Sequence, residues 1–313
     1  MIKPLSCEAM ELAKKRWDSI AKPLNSLGKL EDLVIKAAGI FRTDKVSFDK
    51  KCVVVMCADN GIVEEGVAQV SNEATAIVAK NMTLGKATVS VMASKCNEDL
   101  FVVDIGVASK MDIPGIISRK IAYGTKNFAK IPAMSKEEAV KAIETGIEIA
   151  VGLKEKGYNL IATGEMGIGN TTTSSAITAV MLEKKPSEVT GRGAGLPNAG
   201  LNKKIKVIED AIALHKPDKN DPIDVLSKVG GFDIAGMTGL FLGGAFAGIP
   251  VLIDGFISSV AALLAISICS EAKNYIFATH ISNESAGRML IENLGLPYLL
   301  DCNMCLGEGT GAV

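Results

Sequence analysis

A chain of 313 residues with 48% hydrophobic side chains is long enough to bury a sizeable core, as one large domain with an appendage. Its net charge is −1 and its aromatic content 4%, with lysines and arginines spread along the sequence. That pattern offers no basic groove, polybasic patch or base-stacking platform, so neither nucleic acid nor a membrane surface is an expected partner.

In chain order, residues 6–42 carry two helical patterns joined at 22–28 and contain no strand. Apolar runs then alternate with helical patterns. Strands are predicted at 52–58, 100–106, 158–163, 250–254, 275–279 and 298–301, and helices at 72–94, 136–156, 172–183 and 283–293. Ser135 with Glu138 forms a capping box ahead of the second of these helices. Residues 251–270 are nearly uncharged over a bilayer-spanning length, but Pro250, Asp254 and Gly255 interrupt them, so a short strand followed by a buried helix is expected. The βαβ alternation predicts an α/β fold, a doubly wound parallel Rossmann-like sheet with ligands outside the carboxyl ends of its strands. Residues 1–45 are expected to form a small helical domain and 46–313 the large catalytic domain.

Two glycine-framed carboxylates fall at loops of this pattern. Gly307-Glu308-Gly309-Thr310-Gly311 leaves Glu308 on a backbone able to press against a ligand, an arrangement suited to a general base. Gly164-Glu165-Met166-Gly167-Ile168-Gly169-Asn170-Thr171 follows a predicted strand and opens a helix, where backbone N–H groups and the helix N-terminus favour an anion. There is no Gly-Lys-Ser/Thr ending of a triphosphate loop and no dinucleotide fingerprint, so a monophosphate is the expected ligand. A tight strand-to-helix turn with an ordinary cap is the alternative reading of this segment.

Seven cysteines, an odd number with several in apolar runs, read as reduced core residues. Cys302-Asn303-Met304-Cys305 has the spacing of half a zinc site, yet there is no second pair and only two histidines, His215 and His280. No metal and no other cofactor is expected. The first 20 residues are helical and charged without the apolar stretch of a secretory signal, which makes the cytoplasm the expected location. Lys203 and Lys204, early in a helical pattern, are expected to face solvent, and His280 to be a capped core histidine. Asp233 and Asp254 sit where an unpaired acidic side chain would be costly, so ribose binding or a backbone cap must explain them.

The motifs occur in an order that resembles the nicotinate-nucleotide:dimethylbenzimidazole phosphoribosyltransferase family, the enzymes of cobalamin lower-ligand assembly. They run from Ser26-Leu27-Gly28-Lys29-Leu30-Glu31-Asp32-Leu33 and Ala58-Asp59-Asn60-Gly61 through the Gly164 to Thr172 loop and Gly191-Arg192-Gly193. They continue with Gly230-Gly231-Phe232-Asp233 and Ile253-Asp254-Gly255-Phe256, and close on Leu306-Gly307-Glu308-Gly309-Thr310-Gly311.

The resemblance implies transfer of the phosphoribosyl group of nicotinate mononucleotide to an aromatic base, giving an α-ribotide. Glu308 is then the base and Glu165 a second carboxylate of the site. Gly167, Gly169, Asn170, Thr171, Arg192, Gly193, Asp254 and Ser282 become the expected donor and phosphate contacts, with Glu284 in the same loop as Ser282. Asn60, Gln69, Ile77, Met166 and Leu306 become the acceptor pocket. Asn60 stands where the family commonly has histidine, Ile77 where it has glutamine and Met166 where it often has leucine. These departures resemble a subgroup that uses phenol or p-cresol and works as paired related subunits.

The expected partners are therefore nicotinate mononucleotide, an acceptor such as 5,6-dimethylbenzimidazole, phenol or p-cresol, and a second subunit in a homodimer or a heterodimer with a paralogue. In the resembled family a C-terminal helix joins the N-terminal segment in the small domain, and its absence after Val313 is read as a tail cut, disordered or lost. A hydrolase or phosphorylase using the same monophosphate cradle, and a non-catalytic subunit stabilising a paralogue, are the alternative functions.

Overall fold

A computed structural model describes residues 1–313. The helices α1 (Cys7–Ser19) and α2 (Lys29–Phe41) precede β1 (Lys51–Ala58). Then follow α3 (Glu73–Thr83), α4 (Thr88–Lys95), β2 (Asp99–Gly106), β3 (Ile116–Ser118), α5 (Lys136–Glu155) and β4 (Leu160–Met166). The chain continues through α6 (Asn170–Met181), α7 (Pro186–Val189), α8 (Asn198–His215), α9 (Pro222–Val229) and α10 (Phe232–Ala247). It ends with β5 (Val251–Ile253), α11 (Phe256–Ile268), β6 (Ile276–Ala278) and α12 (Gly287–Leu294).

The six strands form one parallel sheet in the order β3-β2-β1-β4-β5-β6. The connections reverse direction between β1 and β4, and such a reversal opens a crevice at the carboxyl ends of the strands. Along β1 the side chains alternate between two apolar layers. Cys52, Val54, Met56 and Ala58 belong to the larger core with α10 and α11, while Val53, Val55 and Cys57 belong to a smaller one with α3 and α4. Residues 312 and 313 complete the smaller layer, where Ala312 is buried and Val313 packs beside it. The helix α2 is pinned to the sheet edge by Lys36, whose ammonium donates to the carbonyls of Lys273 (3.2 Å) and Ile276 (2.6 Å). No helix is long and apolar enough to cross a membrane.

Four departures from the predicted elements have physical reasons. The helix expected over 72–94 breaks into α3 and α4 around Gly85, which takes φ +70°. Residues 298–301 make only a bridge between His280 and Leu300, because Leu299 and Leu300 are exposed and gain no burial from a ladder. The strand β4 runs on to Met166, so Gly164 and Glu165 are strand residues rather than loop. Neither β3 nor α10 was predicted; α10 is buried all round and carries no amphipathic period.

Candidate active site

A cavity of about 350 Å³ opens at the carboxyl ends of β4, β5 and β6. Its wall includes Glu165, Met166, Gly167, Gly169, Asn170, Thr171, Arg192, Gly193, Asp254, His280, Ser282, Glu284, Leu306 and Glu308. The two glycine-framed carboxylates, far apart in the sequence, thus share one cavity. A Cβ on Gly307 would lie 2.4 Å from Glu165 Oε1, which shows how tightly the C-terminal loop closes over the end of β4.

The Glu308 loop is held in an unusual backbone state. Gly307, Glu308 and Gly309 have φ of +90°, +63° and +100°. A non-glycine residue in the left-handed region persists only where its surroundings hold it. Asp254, at the end of β5, supplies that hold: its Oδ2 accepts from Gly309 N (3.2 Å) and its Oδ1 from Gly311 N (2.7 Å). Thr310 Oγ1 donates to the Gly307 carbonyl at 2.8 Å. The ring of His280 lies against Gly311, within 2.0 Å of where a Cβ would be. Asp254 was expected among the donor contacts; both its oxygens are engaged by this turn, which is the backbone-cap explanation for its burial.

Gly164 is glycine for the same reason, since a Cβ there would meet the Glu308 carbonyl at 2.4 Å. The Glu308 carboxylate itself accepts from Val89 N at 3.3 Å, in the first turn of α4. Burial raises its pKa, the Val89 N–H opposes that shift, and Asp254 adds to it.

Glu165 is buried, and its pKa is pushed up to about 8, chiefly by burial and then by Asp233. Its Oε2 accepts a short hydrogen bond from Asn170 Nδ2, and the same amide donates to Asp233 Oδ2 at 3.0 Å. Asn170, expected among the donor contacts, lies in the cavity wall, and its amide joins two carboxyl groups. Gly167 and Gly169 were expected to be glycine for a close phosphate approach. Packing already demands it: a Cβ would lie 2.4 Å from the Ala58 carbonyl at Gly167 and 2.7 Å from Val63 Cγ2 at Gly169.

At the far end of the cavity, Thr171 Oγ1 accepts from Lys204 Nζ at 2.8 Å, and Lys204 also donates to the Gly191 carbonyl at 3.3 Å. Lys204 is fully buried, contrary to the expectation of a solvated lysine. Burial lowers its pKa to about 8, while the half-buried Glu284 works in the opposite direction. The residues that reveal it in the sequence are Ile208 and Ala211, which with Lys204 form the buried stripe of α8 at helical spacing. Gly193 has φ +53°, and a Cβ there would lie 2.9 Å from Thr171 Oγ1. Arg192 donates to the Leu196 carbonyl (2.7 Å) and, in a short bond, to Asn198 Oδ1, bracing its own loop. Ser282 is buried and accepts from Glu284 N at 3.3 Å.

The acceptor assignments divide. Gln69, Met166 and Leu306 line the cavity, with Gln69 also donating to the Gly195 carbonyl at 2.6 Å. Asn60 does not: it is fully buried behind the wall and donates to the Ile168 carbonyl at 3.3 Å. Ile77 is 58% exposed on the outer face of α3, while its neighbour Val78 reaches the cavity. The buried face of α3 contains Thr75, Ala79 and Met82, so the helical period places 78 on the inner side and 77 outside. His280 is buried beside the C-terminal turn, in keeping with a capped core histidine, and burial lowers its pKa.

A parallel α/β sheet with carboxylates and a helix N-terminus gathered at its switch-point edge defines an enzyme of the nucleotide-handling α/β class. A family model described as phosphoribosyltransferase matches residues 2–313. The nicotinate-nucleotide–dimethylbenzimidazole phosphoribosyltransferase of Acetivibrio thermocellus is 50% identical over 305 residues, covering 97% of this chain and 87% of that protein. The enzyme of the same name from Ruminiclostridium cellulolyticum is 51% identical over 311 residues, 99% of this chain and 88% of that protein. The crystal structure of CobT from Thermus thermophilus superposes with a TM-score of 0.93 at 38% identity, covering 97% of this chain and 92% of that one. The chain belongs to this phosphoribosyltransferase family and is a pentosyl-transferring enzyme.

Proposed function

We propose that the chain transfers the phosphoribosyl group of nicotinate mononucleotide to a ring nitrogen of 5,6-dimethylbenzimidazole, a step of cobamide assembly. The names of the relatives support the substrates. The observation that carries the reading is the meeting of Glu308 and Glu165 in one cavity with the N-terminus of α6. The pyridinium nitrogen of the donor is cationic, so when its bond to ribose C1 breaks the electron pair neutralises the ring and no acid is needed. An azole nitrogen lone pair forms the new bond to C1 from the opposite face, inverting the β-nucleotide to an α-product. Glu308 accepts the proton that the azole loses.

The donor's phosphate fits the α6 end, where Thr171 is backed by the Lys204 charge and Gly193 closes the loop. Glu165 faces the position of the pyridinium and azole rings, where its ionised carboxylate favours positive charge and the cationic ring in turn favours that ionised form. The apolar wall for the acceptor is Val78, Met166 and Leu306. A preference for phenol or p-cresol rested on Asn60, Ile77 and Met166, and of these only Met166 touches the cavity, so benzimidazole is the first reading.

Turnover of the purified chain with nicotinate mononucleotide and a panel of azoles and phenols tests this. Azole-dependent nicotinate release with formation of the α-ribotide is expected. Release without any acceptor would make the chain a hydrolase, and tight donor binding without turnover would make it a non-catalytic subunit.

A further inference from the structure

Asp233, in the first turn of α10, is fully buried, and one of its oxygens accounts for nothing that the cavity's own chemistry needs. Its Oδ2 accepts from Asn170 Nδ2, but its Oδ1 has no hydrogen-bond partner, and neither does Oδ1 of the equally buried Asn60. Both orphaned oxygens lie within 2.6 Å of the point where a Cβ on Gly231 would sit. Two acceptors therefore face one small space. Burial raises the pKa of the Asp233 carboxyl and the first-turn N–H groups of Asp233 and Ile234 oppose that rise, yet Oδ1 itself keeps no hydrogen-bond partner, a costly arrangement in a low-dielectric interior.

Rotating the Asn60 amide does not relieve it. Its other end meets the Ile168 carbonyl, also an acceptor, so a flip only moves the shortage across the residue. One proton on Asp233 Oδ1 removes it. The charge balance points the same way, because Asn170 bonds both Glu165 and Asp233 through one neutral amide nitrogen.

Facing Asp233 are Asp59 and Asn60 at the end of β1, Glu165 from β4 and Asn170 from α6, while Cys57 lies on the other face of β1. The nearby cation Lys120 is committed to Asp104, bonding it at 2.9 Å, and to the Val107 carbonyl. Burial raises the pKa of both carboxyl groups of the pair, that of Glu165 to the higher value, so the shifts favour a proton on the pair without assigning it to Asp233. Glu165 has its second oxygen at the cavity beside Gly307, whereas Asp233 has its second oxygen against an orphaned acceptor, so geometry decides which group carries the proton.

We propose that Asp233 is a positioning residue held as the neutral acid, donating from Oδ1 to Asn60 and orienting Asn170, and through it the carboxylate of Glu165. In this chain Asn60 is thus the acceptor that completes the relay, which accounts for a fully buried amide off the cavity.

Asp233→Asn keeps one donor and one acceptor in the same places but cannot ionise, and Asp233→Leu keeps neither. Infrared difference spectra of the folded protein at neutral pH, with Glu165→Gln in parallel, read the proton directly. A carboxylic-acid band that is present in the unmodified chain and in Glu165→Gln, and lost in Asp233→Asn, is expected. A band lost in Glu165→Gln but kept in Asp233→Asn, or no such band at all, would overturn the assignment.

The kinetic arm rests on the phosphoribosyl-transfer reading, and the spectroscopic arm does not, so failure of the two can be told apart. In that arm Asp233→Asn should hold kcat/KM within about threefold of the unmodified chain and Asp233→Leu should lose more than about tenfold. The unmodified chain should also lose activity at alkaline pH more steeply than Asp233→Asn. Loss of activity in Asp233→Asn comparable to that in Asp233→Leu would mean that the ionised carboxylate is required, and the proposal would fail.

Discussion

Glu308 lines the cavity and Lys204 stands behind its Thr171 wall, and the two differ in how each could be found. Glu308 is flanked by glycines whose left-handed backbone the loop requires, so its place in a close-fitting loop was legible from neighbouring residue types. For Glu308→Gln we expect kcat to fall by about two to four powers of ten with donor affinity little changed, measured by nicotinate release and donor calorimetry. Near-full turnover at saturating acceptor would remove Glu308 from the role of base. Lys204 was illegible because a lysine is solvated by default, and only its place on the stripe of Ile208 and Ala211 shows otherwise. Its ammonium stands behind Thr171 rather than in the cavity wall, so on the proposed reading its charge would reach the donor phosphate through that hydroxyl. Lys204→Met keeps the packing and removes the charge. The donor KM should rise by about tenfold or more while kcat changes less, and an unchanged donor KM would place the phosphate elsewhere.

At the scale of elements, period and packing decide which residue reaches the site. The resemblance put Ile77 in the pocket, where the structure places its neighbour Val78, and a helix turns about 100° between neighbours, enough to carry a side chain from the wall to solvent. Val78→Gln should therefore alter the ratio of kcat/KM values among azole and phenol acceptors, while Ile77→Gln should leave it unchanged; the reverse result would reject the α3 register described above. The strands β1, β2, β5 and β6 were legible because parallel strands buried on both faces read as continuous apolar runs. The three-residue edge strand β3 is too short for that pattern. The helix α10 was hidden by its uniform burial, and what marks it is glycine spacing: Cβ atoms at Gly239 and Gly146 would lie 2.0 Å from the Ile143 and Gly236 carbonyls. The α5 and α10 backbones thus touch along a seam under the sheet. Gly239→Val must force the two helices apart, and a loss of stability of about 3 kcal/mol or more is expected in denaturant unfolding, well above the effect of a surface substitution.

Across the whole molecule, the site assembles at the C-terminal edge of the sheet by burying carboxyl groups, and that concentration has a thermodynamic signature. Burial raises the pKa of Glu165 to about 8, of Asp233 to about 7 and of Asp254 to about 6, and it raises those of Glu308, Glu284 and Asp59 as well. A carboxyl whose folded pKa lies above its unfolded value makes the folded state bind more protons between the two. Its contribution is fully present below the unfolded pKa and is lost as pH rises through the folded one. The carboxyls with lowered pKa, such as Asp221 and Asp224, have the opposite sign but act at and below the usual carboxylate range. His280, lowered by burial, offsets one of the site groups over the mildly acidic range. The site carboxyls outnumber it, so the melting temperature of the free protein should decline between about pH 5 and pH 8. Glu165→Gln and Asp233→Asn should each flatten that decline, and both together more than either. The cationic pyridinium of a bound donor should oppose the raised pKa of Glu165 and weaken the dependence further, since it favours the ionised carboxyl. A melting temperature that rises across this range, or one whose slope neither substitution alters, would show that these carboxyls are not protonated in the folded chain.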